Sequence, residues 1–114
     1  MISPRFAGAA LRSLVARWHG DTAAPLVLTC YGKPACSLCD KAKVPVGRIV
    51  AASGGRLVAE WVNILDDPQL IARWGERIPV ICAGETILAE GKVSELRLRR
   101  ALDALPRAER GGHG

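Results

Sequence analysis

Residues 31–40 read YGKPACSLCD, and the two cysteines in this stretch, Cys36 and Cys39, have two residues between them. A pair with this spacing can bind a metal, form a structural disulfide or cycle between dithiol and disulfide. The compact apolar run LVLTCY at 26–31 comes first and predicts a buried strand. The segment after the cysteines has helical spacing of apolar residues. The pair is therefore predicted to lie where a strand passes into a helix.

This position favours redox chemistry. A thiol at a helix N-terminus meets unpaired backbone N–H groups and the positive end of the helix dipole, and both favour thiolate over thiol. Lys33 lies three residues before Cys36 and adds positive charge. We expect Cys36 to be accessible and Cys39, one turn further on, to be more buried. A redox pair needs that asymmetry between an attacking and a resolving thiol.

The rest of the chain predicts three more strands and two more helices. In the first helix, Val44, Ile49, Val50 and Ala52 carry the apolar spacing, and Gly54 follows its end. The later segments are a strand at 56–64, a helix at 66–75 that Asp67 caps, strands at 78–83 and 86–89, and a helix at 94–105 that Ser94 caps.

The predicted order is β-α-β-α-β-β-α, which belongs to the α/β class. The first β-α-β unit implies two parallel strands joined by a right-handed crossover. The last two strands are joined by a two-residue turn at 84–85 and must be antiparallel. We therefore expect a four-stranded mixed sheet with helices on both faces.

Two further cysteines, Cys30 and Cys82, fall inside predicted strands. Their simplest interpretation is that they are small buried core residues. The alternatives are a regulatory disulfide or extra ligands for a metal. No second closely spaced cysteine pair is present, so we expect no metal site.

Three short motifs resemble the glutaredoxins. The motifs are KPACSLC at 33–39, DDPQL at 66–70 and ERIPV at 76–80. Their order and spacing are similar to those of small glutaredoxin-like proteins with a lysine-proline-x-cysteine-x-leucine-cysteine motif. The resemblance covers about residues 26–105 and implies a thioredoxin-like fold.

The resemblance also implies roles for individual residues. Cys36 would be the nucleophile and Cys39 the resolving cysteine of a thiol–disulfide oxidoreductase. Pro79 would follow a cis peptide bond and face the pair, and the backbone of Ile78 would bind substrate. We also place Lys33 among the substrate-binding residues. A non-catalytic redox sensor or adaptor is the alternative, and a metal or iron–sulfur module is a further one.

The expected partner is a disulfide-containing protein or a low-molecular-weight thiol. Common glutaredoxins have proline and an aromatic residue where this chain has Ser37 and Leu38, and a Gly-Gly pair where it has Glu90 and Gly91. Glu90 adds negative charge where an anion would approach. We expect no tightly bound cofactor; glutathione is possible, but these differences count against it.

The composition limits other functions. The net charge is +5, but basic residues are scattered and aromatic residues make up only 4%, so we expect no nucleic-acid partner. No window of 18 consecutive apolar residues exists, which predicts no membrane span. We expect a monomer.

The ends of the chain differ from its centre. Residues 1–25 are predicted to be an N-terminal extension with an amphipathic helix at about 8–19, residues 26–106 the glutaredoxin-like domain, and 107–114 a flexible tail. The absence of a secretory signal and the unpaired cysteines indicate a reducing, cytoplasmic location. The arginine-rich extension leaves organelle import as the alternative.

Overall fold

The computed structural model describes residues 24–106, so the helix predicted at about 8–19 and the tail predicted at 107–114 lie outside the described residues. Within residues 24–106, three helices and four strands form in the order β-α-β-α-β-β-α, as the sequence predicts. The elements are β1 (Leu26–Gly32), α1 (Ser37–Ala52), β2 (Leu57–Asn63), a 3₁₀ turn (Ile64–Asp66), α2 (Pro68–Trp74), β3 (Val80–Ala83), β4 (Thr86–Glu90) and α3 (Glu95–Asp103).

The four strands form one mixed sheet in the spatial order β2-β1-β3-β4. β1 and β2 are parallel and are connected through α1, whereas β1–β3 and β3–β4 are antiparallel. Parallel strands need a crossover, and α1 supplies it. The arrangement confirms the predicted α/β class and is that of a thioredoxin-like fold.

Side chains that alternate along the central strands bury both faces of the sheet. On one face, Leu28 and Cys30 of β1 pack with residues of α1 and α3 in the larger core. On the other face, Val80 and Cys82 of β3 pack with Trp74 of α2 in the smaller core. The two layers hold the strand ends in place, and the cysteine pair lies at one of those ends.

Side chains cap the two later helices where the sequence predicts. The Asp67 carboxylate accepts from the Gln69 N–H at 2.8 Å, and the Ser94 hydroxyl accepts from the Arg97 N–H at 3.1 Å. Each contact satisfies a backbone donor that the first helical turn leaves unpaired. Pro68 occupies the first position of α2, where its missing N–H costs nothing.

Two details of the prediction are wrong. The apolar spacing used for α1 included Val44, which is 56% exposed, and Ala52, which is also exposed. The buried face of the helix is instead set by Cys39, Ala42, Val46 and Ile49. Val44 comes five residues after Cys39 and therefore points away from the sheet. β3 begins at Val80 rather than at residue 78, since Pro79 has no N–H to donate to the ladder.

Candidate redox-active site

The loop between β1 and α1 carries Cys36 to the first turn of the helix. Lys33 and Pro34 are exposed in this loop. Ala35 has a φ of 58°, a left-handed conformation that is uncommon for a residue with a Cβ. Strained backbone of this kind is frequent at functional sites. The left-handed conformation of Ala35 turns the chain so that Cys36, which is itself extended, is the N-cap residue of α1.

The sulfur atoms of Cys36 and Cys39 lie at disulfide distance, and the Cα atoms of the two residues are 5.2 Å apart. Cys36 is half-buried, whereas Cys39 is only 2% exposed and belongs to the buried side of α1. The accessibility of the two residues therefore differs in the direction that the sequence predicts. The residues between them, Ser37 and Leu38, are both exposed and leave the approach to Cys36 open.

The backbone of α1 is arranged to stabilise negative charge on the Cys36 sulfur. The N–H of Cys39 donates a hydrogen bond to Cys36 Sγ at 3.2 Å. The N-terminal end of α1 adds the positive end of the helix dipole. A thiolate that forms at Cys36 on reduction would have a charge-assisted hydrogen bond in place.

Asp40 introduces an opposing negative charge directly after the pair, and Lys43 lies next to it. The Lys43 ammonium is 3.9 Å from the Asp40 carboxylate, and both side chains are largely exposed. The same ammonium lies 5.6 Å from the centre of the Trp61 ring. The carboxylate therefore has a local counter-charge on its own helix, which reduces its effect on the cysteine pair.

The closest packing at the site is between Gly32, Cys39 and Trp61. A Cβ placed on Gly32 would lie 3.2 Å from Cys39 Sγ and 3.7 Å from the Trp61 ring. Glycine at the end of β1 therefore leaves the space in which the Cys39 sulfur packs against the strand. Only the three-dimensional fold reveals this role, because nothing in the local sequence distinguishes Gly32 from an ordinary loop glycine.

Ile78 and Pro79 lie beside the same strand end. Tyr31 pairs with Val80 in the antiparallel ladder, so the residues one step further on, Gly32 and Pro79, are neighbours. The Ile78–Pro79 peptide bond is cis, as the resemblance implies. Pro79 is buried, and its carbonyl accepts from the Gly91 N–H at 2.9 Å. The fold thus brings the predicted proline next to the strand end that contacts Cys39.

Of the two backbone hydrogen-bonding groups of Ile78, only the carbonyl is left for a substrate to contact. Its N–H donates to the Trp74 carbonyl at 3.1 Å, and the Arg77 N–H donates to the same carbonyl at 2.8 Å. Within residues 24–106 the Ile78 carbonyl accepts no hydrogen bond. An extended substrate would therefore be able to donate a hydrogen bond to the Ile78 carbonyl. To accept one from the Ile78 N–H, it would have to replace the Trp74 carbonyl.

A charged and aromatic cluster next to this segment was not predicted as a unit. Arg77 donates two hydrogen bonds to the Glu90 carboxylate, from Nε at 2.8 Å and from Nη2 at 3.0 Å. These bonds raise the pKa of Arg77 and lower the pKa of Glu90. The Arg77 guanidinium lies 5.0 Å from the Trp74 ring centre, and Tyr31 stacks on that ring at 5.2 Å. The expected negative charge of Glu90 is thus balanced by Arg77.

Cys30 and Cys82 are unpaired and buried, which confirms their interpretation as core residues. Burial raises the pKa of the Cys30 thiol to about 12, and burial also raises that of Cys82. Cys30 pairs with Ile81 and Cys82 with Thr29, so the two thiols point to opposite faces of the sheet. That orientation excludes a disulfide between them in the folded chain.

Two observations on the described residues concern metal binding and membrane spanning. Across residues 24–106, no group of three or more histidine, cysteine, aspartate or glutamate side chains is placed to hold a metal ion. In the same part of the chain, every helix is too short or too polar to cross a membrane.

Comparisons with known proteins identify the family. Residues 27–103, well over half of the chain, match the glutaredoxin-like domain family (DUF836). A solved structure described as "Structure of a malarial protein" is similar in fold, with a TM-score of 0.53 and 15% sequence identity, over 69% of this chain and 94% of that chain. No curated protein matches the chain. The chain belongs to the glutaredoxin-like family of the thioredoxin-fold superfamily.

Proposed function

We propose that this glutaredoxin-like protein is a thiol–disulfide oxidoreductase that uses Cys36 and Cys39 as a dithiol–disulfide pair. The observation that carries the proposal is the position of the pair at the start of α1. There the half-buried Cys36 sulfur accepts the Cys39 N–H, and Cys39 is buried one turn later. Family membership supports a redox role for the pair, and the geometry supports a different task for each cysteine.

In the first step, the Cys36 thiolate attacks one sulfur of a substrate disulfide. A new bond forms between Cys36 and that sulfur while the substrate S–S bond breaks, and the departing sulfur leaves as a thiolate that takes a proton from water. The helix N-terminus and the Cys39 N–H favour the attacking thiolate at neutral pH. Cys36 is the accessible member of the pair and is suited to this attack.

In the second step, Cys39 resolves the mixed disulfide. Its thiol gives up a proton to solvent, and its sulfur attacks Cys36, which releases the second substrate sulfur as a thiolate. The net result is two electrons transferred from the dithiol to the substrate, with Cys36 and Cys39 left as a disulfide. The 5.2 Å between their Cα atoms lies within the usual range for such a bond.

The substrate in this proposal is a disulfide-containing protein or a low-molecular-weight disulfide. A cellular thiol, as a dithiol or as two equivalents of a monothiol, returns the pair to the reduced state. The sulfur atoms of the chain carry both electrons, so the chemistry requires no tightly bound cofactor. A reducing compartment such as the cytoplasm would supply the thiol.

The test is reduction of insulin disulfides by the wild type and by single cysteine variants. Cys36→Ser is expected to abolish reduction, because it removes the nucleophile. Cys39→Ser is expected to accumulate a mixed disulfide through Cys36, visible as a mass increase that dithiothreitol removes. Cys82→Ala, which removes a cysteine from the smaller core, serves as the matched control and should retain activity. Full activity of Cys36→Ser would refute the assignment.

A further inference from the structure

The ion pair between Arg77 and Glu90 lies at the end of the sheet where β1 leads into the cysteine pair. Arg77 is two residues before Pro79, and Glu90 pairs with Val80 in the ladder. The residue after Glu90, Gly91, donates its N–H to the Pro79 carbonyl at 2.9 Å. Pro79 lies one residue beyond the last ladder pair, Tyr31–Val80, and is therefore beside Gly32, against which the Cys39 sulfur packs. The Arg77–Glu90 ion pair therefore lies next to Pro79, which is itself beside the strand end that contacts Cys39.

The contact between Arg77 and Glu90 has the geometry by which arginine binds a carboxylate ligand, but both partners belong to the same chain. Nε and Nη2 of Arg77 each donate to a different oxygen of Glu90, which is the two-point contact by which arginine binds a carboxylate. The Arg77 guanidinium also lies 5.0 Å from the centre of the Trp74 ring, which the Arg73 guanidinium approaches at 4.5 Å. Both side chains of the pair are 42% exposed, so solvent and solutes can reach them.

We propose that Glu90 sets the substrate specificity of this site by occupying Arg77, so that small disulfides with a free carboxylate gain no contact there. With Glu90 in place, the donors of Arg77 that would bind such a carboxylate are already occupied. Neutral disulfides and disulfides within proteins, which need no such contact, are unaffected. This inference rests on the proposed function and identifies the substrate class of the same site.

Removal of Glu90 should create a preference for disulfides that carry a carboxylate. In Glu90→Gln the Arg77 guanidinium stays on Trp74 but has no carboxylate partner. A substrate carboxylate can then take the place of Glu90 and hold the disulfide near Cys36. The expected gain is about threefold or more in rate, which corresponds to the strength of a surface ion pair.

The experiment compares two small disulfides that differ only in charge, 4,4′-dithiodibutyrate and its bis-amide. The rate constant for reduction of each by fully reduced protein is measured in a single turnover, and the ratio of carboxylate to amide is the readout. The ratio cancels any change in the reactivity of Cys36 itself. Glu95→Gln is the matched control, because it also removes the carboxylate partner of arginine, here Arg99 at 2.9 Å and Arg48 at 3.8 Å.

For the wild type and Glu95→Gln we expect equal ratios, and for Glu90→Gln a ratio at least about threefold higher. The double variant Arg77→Gln/Glu90→Gln should return to the wild-type ratio. A ratio unchanged by Glu90→Gln overturns the proposal. So does an equal rise in Glu95→Gln, which would indicate an effect of net charge, or a rise that persists without Arg77.

A binding measurement separates this inference from the redox assignment. The unreactive compound 4-(methylthio)butyrate is titrated into the oxidised protein while the Arg77 Nε–H resonance is followed by NMR. Glu90→Gln should bind it at least about threefold more tightly than the wild type. If the wild type reduces neither insulin nor these two disulfides, the proposed function fails and this titration alone decides the inference. Equal affinities of the two proteins, or no binding to either, overturn it.

Discussion

The contact between Gly32 and Cys39 predicts how the redox potential of the pair can be changed. In Gly32→Ala the new Cβ would lie 3.2 Å from Cys39 Sγ and 3.4 Å from Cys39 Cβ. These distances are tighter than ordinary packing, so Cys39 has to move by a few tenths of an ångström. Gly32 does not have a positive φ, so its backbone accepts alanine without strain.

The cost of the substitution depends on the redox state. In the oxidised protein the bond to Cys36 fixes the Cys39 sulfur, whereas in the reduced protein this side chain can rotate about χ1. Overpacking of a core costs typically 1–3 kcal/mol, and the small displacement here indicates about 1 kcal/mol for the oxidised form. If the reduced form avoids that cost, the potential rises by about 20 mV for this two-electron couple.

The potential is measured by equilibrating each variant in dithiothreitol redox buffers and quantifying the dithiol by alkylation and mass spectrometry. Gly47→Ala is the matched control. Gly47 lies within α1 with no heavy atom within 4 Å of the added Cβ, so both redox forms should gain about 0.5–1 kcal/mol and the potential should not change. A potential that stays constant or falls in Gly32→Ala would refute the reasoning.

Three further predictions concern stability and titration. Gly75→Ala should lower the free energy of unfolding by about 1–3 kcal/mol in urea, because its Cβ would lie 2.5 Å from the Ile71 carbonyl oxygen; an unchanged midpoint contradicts this. In the reduced protein, the absorbance of the Cys36 thiolate at 240 nm should titrate with a midpoint below about 8.5, and a midpoint at or above that value argues against activation. The raised pKa of Cys30, about 12, means that the fold favours its neutral thiol, so stability should fall as pH rises above about 9. Urea midpoints of Cys30→Ala should fall less between pH 8 and pH 10, and parallel curves would contradict the assignment.

Local chemistry made much of the fold predictable. The cap at Asp67, the proline that follows it and the apolar run of β1 each act within a few residues, and each formed as predicted. The position of Cys36 followed in the same way, because a strand, a short loop and a helix come in direct succession. The short range of these interactions explains why a single sequence was sufficient.

The features that the sequence could not reveal depend on pairing between distant segments. Arg77 and Glu90 are 13 residues apart and meet only because β3 and β4 pair in one particular register. The contact between Gly32 and the Cys39 sulfur depends on how α1 packs on the sheet. The hydrogen bond from Ile78 to Trp74 depends on how α2 ends. Residue patterns carry no information on these distances.

The opposite orientation of the two core thiols has a consequence for how oxidation proceeds in this chain. Disulfide exchange passes from sulfur to sulfur and requires an accessible thiolate at each step. Cys30 and Cys82 are separated by the thickness of the sheet, are buried, and hold their protons more tightly than a free cysteine. While the fold is intact, a mixed disulfide on Cys36 can therefore be resolved within the chain only by Cys39. In the proposed redox cycle, each folded chain carries one pair of electrons, and scrambled disulfide isomers form only after unfolding.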